Sequence, residues 1–104
     1  MDIKGKLVDE QTRCLHYHSS SDVIAIKFKC CNTYYACIYC HTEEADHLSE
    51  IWKKIEFDTK AIFCGVCKYE MTINEYLRSD NECPFCSAKF NPECKKHYHF
   101  YFEI

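Results

Sequence analysis

Six side chains able to bind a soft or borderline metal fall within eighteen positions: Cys30, Cys31, Cys37, Cys40, His41 and His47. Cys37 and Cys40 form a C-x-x-C knuckle, the spacing that lets two thiolates grip one tetrahedral zinc at about 2.3 Å each. A tetrahedral ion takes four ligands, so six donors exceed one site and fall short of two. Cys14 and His16 supply the missing pair. The eight then make two tetrahedra: Cys14, His16, Cys37 and Cys40 on one ion, and Cys30, Cys31, His41 and His47 on the other. Neighbours in an extended chain face opposite ways. That supports Cys40 and His41 serving different ions. It counts against Cys30 and Cys31 sharing one unless the chain turns sharply there, so on the residues alone the pairing stays open. The competing reading of His47 is an exposed helical histidine.

A second pattern is simpler. Cys64-x2-Cys67-x15-Cys83-x2-Cys86 has the spacing of a zinc ribbon. Gly65 and Pro84 lie inside its knuckles, where tight turns bring backbone N–H groups to the sulfurs. A closed site of four cysteines is structural, because no position is left for water or substrate. A redox dithiol would read differently: one C-x-x-C before a helix in a βαβ context. Four donors remain, His18, Cys94, His97 and His99, and they could hold a fourth ion. The plainer reading is a buried thiol beside histidines that pack or orient ligands from behind. No open three-ligand zinc with a general base is visible. Cys94 and His97 lack any third group that would make them a nucleophile and base. The chain is therefore expected not to be an enzyme.

The composition fits these sites. The 104 residues include ten Cys and six His, and a chain this short has a marginal core without cross-links or metal. Disulfide scaffolds belong to secreted chains. The opening MDIKGKLVDEQTR is charged, with no apolar h-region, so no signal peptide is expected. No segment approaches the ~20 apolar residues of a membrane span, and mean hydropathy is −0.41. The formal charge of −3 falls to about −6 with nine thiolates on three zinc ions. An acidic module without a Lys/Arg stripe is a poor partner for phosphate backbones, so neither nucleic acid nor membrane is an expected partner. A monomer that meets a protein partner is expected.

These ligands must be positioned by short elements. The fold class expected is small, zinc-stabilised α+β: short strands and turns with one or two short helices, in one domain over 1–104. Residues 13–50 would hold two interleaved sites, and 61–103 a ribbon-like half. Val23–Lys29 and Thr33–Ala36 read as strands, residues 42–47 as one or two helical turns, and Ala61–Phe63 as a strand. Thr72 and Glu75 fit a capping box, and the alternating tail 97–103 reads as a final strand. Residues 48–60 carry no ligand and would divide the halves. Most of the eight Tyr, seven Phe and one Trp should be core.

Taken together, the motifs Cys14-Leu15-His16-Tyr17, Lys27-Phe28-Lys29-Cys30-Cys31, Tyr35-Ala36-Cys37-x-x-Cys40-His41, His47, Cys64-Gly65-x-Cys67, Cys83-Pro84-x-Cys86 and Phe90-Asn91-Pro92-x-Cys94-x-x-His97 resemble the CHY-type zinc finger family. The resemblance covers about residues 5–103. It implies three zinc ions on twelve ligands, which map onto the twelve positions already counted. One kind of relative joins the module to the RING finger of ubiquitin ligases. No RING pattern follows here, so ligase activity is not carried over. The other kind is stand-alone: the helpers of small Tim proteins of the mitochondrial intermembrane space. The similarity to these extends to Gly5-Lys6-x-Val8-Asp9 and His97-Tyr98-His99. That branch implies zinc handling and recycling of an oxidative import receptor. The function expected is thus a structural zinc-binding protein acting as a protein-interaction or zinc/thiol-handling module. The alternative is a thiol-redox or zinc-exchange factor whose cysteines turn over. The location expected is the cytoplasm, or the intermembrane space in a eukaryote.

Overall fold

The chain is built on one strand that is apolar on both faces. In the computed structural model, which describes residues 3–91 and 98–103, β2 (Ile24–Phe28) occupies the middle of a five-stranded sheet. Around it lie β1 (Ile3–Lys4), β3 (Thr33–Tyr35), β4 (Lys60–Cys64) and β5 (Glu70–Thr72), in the order β1-β3-β2-β4-β5. The β1–β3 pair is parallel and the others are antiparallel. The expected halves are joined directly, because Ile24, Ala25 and Ile26 of β2 pair with Cys64, Phe63 and Ile62 of β4.

The period-two alternation of the strands sends side chains to two faces. One face carries Ile26, Phe28, Tyr35, Ile62 and Met71 into the main core. Trp52, Ile73, Tyr76, Phe90, Tyr101 and Phe102 close over them. The other face carries a small cluster of Ala25, Tyr34 and Phe63 with Ile3 against it. There Tyr34 donates its hydroxyl proton to Glu70 Oε2 at 2.7 Å, and its ring packs edge-on to Phe63. The fold class is the small α+β type expected.

Helix α2 (Ile73–Arg78) starts as its sequence requires. Thr72 Oγ1 accepts from Glu75 N at 3.1 Å, and Glu75 Oε1 accepts from Thr72 N at 2.9 Å. The other helix differs from expectation. Helix α1 spans Ile38–Glu44 rather than 42–47, because Cys37 is its N-cap and the Cys37 sulfur accepts from Cys40 N at 3.4 Å. A thiolate that caps a helix and binds a metal makes the knuckle itself the first turn. The tail also differs. Its expected C-terminal strand is a 3-10 turn over residues 98–100, followed by a single bridge between Phe102 and Trp52. The Tyr98 carbonyl accepts from both Tyr101 N and Phe102 N, which coils the chain and turns Tyr101 and Phe102 inward.

Two ligand-free segments, the polar lead-in and residues 48–60, are structural. Within 48–60, Trp52 is buried and donates its indole N–H to Lys27 O at 2.7 Å. The lead-in supplies β1, a Leu7–Cys14 bridge and a turn held by Arg13. The Arg13 guanidinium contacts Asp9 Oδ2, Gln11 Oε1, Ser19 O and Ser20 O.

Candidate metal centres

The twelve predicted donors come together in three groups of four. They are Cys14, His16, Cys37 and Cys40; Cys30, Cys31, His41 and His47; and Cys64, Cys67, Cys83 and Cys86, with the donor atoms of each group within 4.8 Å of one another. In the first group, the Leu7–Cys14 bridge places Cys14. His16 follows two residues later, Cys37 is the N-cap of α1, and Cys40 lies in its first turn. Cys37 Sγ lies 3.7 Å from Cys14 Sγ. His16 Nδ1 lies 3.5 Å from Cys37 and Cys40 and 3.8 Å from Cys14. The far nitrogen of His16, Nε2, is 2.6 Å from Glu43 Oε1, so a carboxylate orients the ring from behind.

The second group turns on the point that alternation left open. After β2 the chain reverses sharply: Asn32 N donates to Phe28 O at 2.8 Å and Asn32 sits at φ +54°. The turn aims Cys30 and Cys31 at one place, their sulfurs 3.8 Å apart. Cys40 and His41 do serve different groups, for a helical reason: neighbours on an α-helix diverge by about 100°. His41 Nε2 lies 3.2 Å from Cys30 Sγ and 3.3 Å from His47 Nε2. Its ring is stacked on Phe28 at 4.4 Å and set edge-on to Tyr35. His47 lies beyond the end of α1 and contacts Asp46 through Nδ1 at 3.1 Å.

The third group is two copies of one knuckle. Lys68 N donates to Cys64 O, and Ser87 N to Cys83 O. Lys68 and Ser87 each take a positive φ, and Cys64 N and Cys83 N close the hairpins by donating to Tyr69 O and Ala88 O. Cys83 Sγ accepts from Phe85 N and Cys86 N, as the N–H-to-sulfur reading of these turns requires. Sulfurs from opposite knuckles stand 3.8 and 3.7 Å apart.

These separations test the fit to zinc. Bonds of about 2.3 Å to sulfur and 2.0–2.1 Å to nitrogen give tetrahedral edges of about 3.8 Å for S–S, 3.5 Å for S–N and 3.3 Å for N–N. The observed edges bracket these values. They are also far too long for disulfides, whose sulfurs stand about 2.05 Å apart. Electrostatics agrees. Burial pushes the Cys64 thiol up to about 12. The sulfur contact with Cys37 pulls Cys14 down to about 5, while that same contact and burial push Cys37 up. Packed sulfurs that cannot all ionise alone require a nearby cation to become thiolates together.

Residues 14–101 match the CHY zinc finger family. The chain belongs to that family. It is also 51% identical over 104 residues to Helper of Tim protein 13 of Saccharomyces cerevisiae, covering 97% of this chain and 90% of that protein. It is 50% identical over 101 residues to the protein of the same name in Kluyveromyces lactis, covering 96% and 87%. A zinc finger protein BRUTUS-like of Arabidopsis thaliana is 32% identical over 92 residues, which are 71% of this chain but 7% of that much longer protein. The CHY family and the three Cys/His groups support Zn2+ at about three sites. Of the four residues considered for a fourth ion, His18 and His99 are exposed, and Cys94 and His97 lie outside the described residues. Among the described residues, no helix is long and apolar enough to cross a membrane. The residue that sequence reasoning missed is Glu43, whose signal is its place one turn beyond Cys40 on a helix that starts at the knuckle.

Proposed function

We propose that this CHY zinc-finger protein holds one zinc in each of the three groups, on the twelve residues named. In this reading it acts without catalysis, through contact with a Tim-type protein partner in the mitochondrial intermembrane space. The observation that carries the zinc assignment is the match of the donor–donor edges to a zinc tetrahedron in all three groups. Four donors around each ion leave no open position for substrate, which is why a non-enzymatic role is proposed. The partner class rests on the name shared by relatives about half identical over nearly the whole chain.

The test is native mass spectrometry of the purified chain, followed by titration with purified small Tim proteins. Three zinc ions and saturable binding are expected. Fewer than three ions would remove the ligand assignment, and no binding would remove the partner. The second reading, in which ligand cysteines turn over, is favoured by one observation: the second group is partly exposed.

A further inference from the structure

The three groups are unequally protected. In the first, Cys14, Cys37 and Cys40 are 1%, 3% and 0% exposed, and His16 is backed by Glu43. In the third, Cys64 and Cys83 are buried and Cys67 is partly exposed. Cys86 is exposed, but it is chained to buried Cys83 by a hydrogen-bonded knuckle, so a donor that lets go is returned at once. The second group is built otherwise. Cys30 and Cys31 are both partly exposed, His41 is buried, and His47 is exposed. His47 has no knuckle, and the carboxylate behind its ring, Asp46, is its own fully exposed neighbour, whereas Glu43 behind His16 is held on a helix and more covered. Helix α1 ends at Glu44, and residues 46–51 are exposed and without regular structure until Trp52 re-enters the core. Leu48, next to His47, is 90% exposed. The segment touches the group again only lightly, through a backbone hydrogen bond from Glu50 to Cys30.

We propose that the second group is the exchange site of the protein. Its zinc passes to and from an acceptor bearing neutral thiol or imidazole donors, and His47 is the ligand that lets go first. The inference rests on the second reading above, in which ligand cysteines turn over, and narrows it to one ion of three. The exchange is a ligand substitution with no change of oxidation state. The bond to His47 Nε2 breaks as one incoming donor bonds. Cys31, Cys30 and His41 are then replaced in turn, and each freed thiolate takes a proton from water or from the incoming thiol. Asp46 beside His47 places negative charge at the opening, which favours neutral or cationic acceptors over anionic ones. The other two groups keep their ions while this happens.

The test uses the full chain loaded with zinc and mixed with excess 4-(2-pyridylazo)resorcinol as the acceptor. One equivalent is expected to leave at least about tenfold faster than the other two, the scale of effect that ligand support commonly carries. Alkylation with N-ethylmaleimide during the fast phase, mapped by peptide mass spectrometry, is expected at Cys30 and Cys31 before the other seven group cysteines, with Cys94 scored separately. His47→Ala should accelerate the first equivalent and leave the other two unchanged, and His47→Cys should slow it. A single release phase, or early alkylation in the first or third group, would overturn the exchange site while three bound ions leave the zinc assignment standing. A chain that holds no zinc would remove the zinc assignment itself. If either variant folds poorly, the wild-type alkylation map decides alone.

Discussion

Replacing Gly65 by alanine tests whether the N-terminal lead-in is part of the fold. An added Cβ at Gly65 would lie 2.5 Å from the carbonyl carbon of Gln11 and 3.0 Å from its Cα, with the carbonyl oxygen closer still. Ordinary contact requires a displacement of about 1 Å, and the obstructing atoms are backbone. Neither side is free to give. Gln11 sits in a turn whose N–H groups donate to Asp9 Oδ1 and whose Arg13 guanidinium grips Asp9. Lys68 Nζ also ties Glu10 O to Gly65 O across the same gap. On the other side, Gly65 N donates to Val23 O at 2.6 Å. Overpacking costs about 1–3 kcal/mol, and immobile backbone puts this case near 3. For a chain of this size that is a fall in Tm of roughly 10–25 °C. The assay is thermal unfolding by circular dichroism at saturating zinc, with Val66→Ala as the exposed neighbour, expected within about 0.5 kcal/mol of wild type. In a chain beginning at Arg13 the Gly65→Ala penalty should largely vanish. A full-length Gly65→Ala protein as stable as wild type, with its zinc in place, would refute the docking of residues 9–12 on the ribbon knuckle.

Three further outcomes follow from the same contacts. Stripping zinc with a strong chelator should abolish near-ultraviolet circular dichroism, because structural zinc contributes about 10–16 kcal/mol per site against a total stability of about 5–15; retention of the signal would show that the core folds without metal. Gly5→Ala should lower zinc content at the first group, since Gly5 sits at φ +121° and its Cβ would stand 2.7 Å from both Cβ and Sγ of Cys40; an unchanged metal count and Tm would contradict it. Tyr34→Phe should cost roughly 1.5–3 kcal/mol by removing a hydrogen bond to a carboxylate. Burial and the Glu70 carboxylate raise the Tyr34 pKa, so the folded state holds that proton longer than the unfolded state does. Its stabilising effect is whole below about pH 10 and declines as pH rises beyond it; the variant's Tm should therefore fall less steeply there, and parallel profiles would count against the assignment.

The three donor groups were legible because metal chemistry repeats in sequence as spacing. The C-x-x-C pairs needed no tertiary information, and eight donors for two ions followed from the number an ion takes, but their pairing needed the turn at Asn32 that brings Cys30 and Cys31 together. The strands 24–28 and 33–35 were legible because β-branched and aromatic residues mark them. What failed had a different cause in each place. The start of α1 was hidden because a cysteine sulfur, not Ser, Thr, Asp or Asn, caps it. The tail alternates like a strand, yet finds its partners by coiling at Tyr98. The lead-in looks polar and featureless, and nothing in it announces that Thr12 is buried at φ +70°, a conformation costly for a β-branched residue.

The geometry also says which losses should spread. Helix α1 has seven residues, too few to persist alone in water. It is held at its start by the Cys37 cap and the first group, and along its side by the packing of His41. Emptying the first group frees Cys37, Cys40 and Cys14 together, so the helix loses its cap and His41 its placement; the second group should fail with it. The reverse does not follow. Emptying the second group leaves the Cys37–Cys40 knuckle closed, and the His41 ring remains stacked on Phe28 and edge-on to Tyr35 without any metal. The Cys30–Cys31 turn likewise keeps its Asn32–Phe28 hydrogen bond. The second ion can therefore leave a site that keeps its shape, whereas loss of the first dismantles the element on which both depend. Substituting Cys14 should thus cost two ions, and substituting His47 at most one.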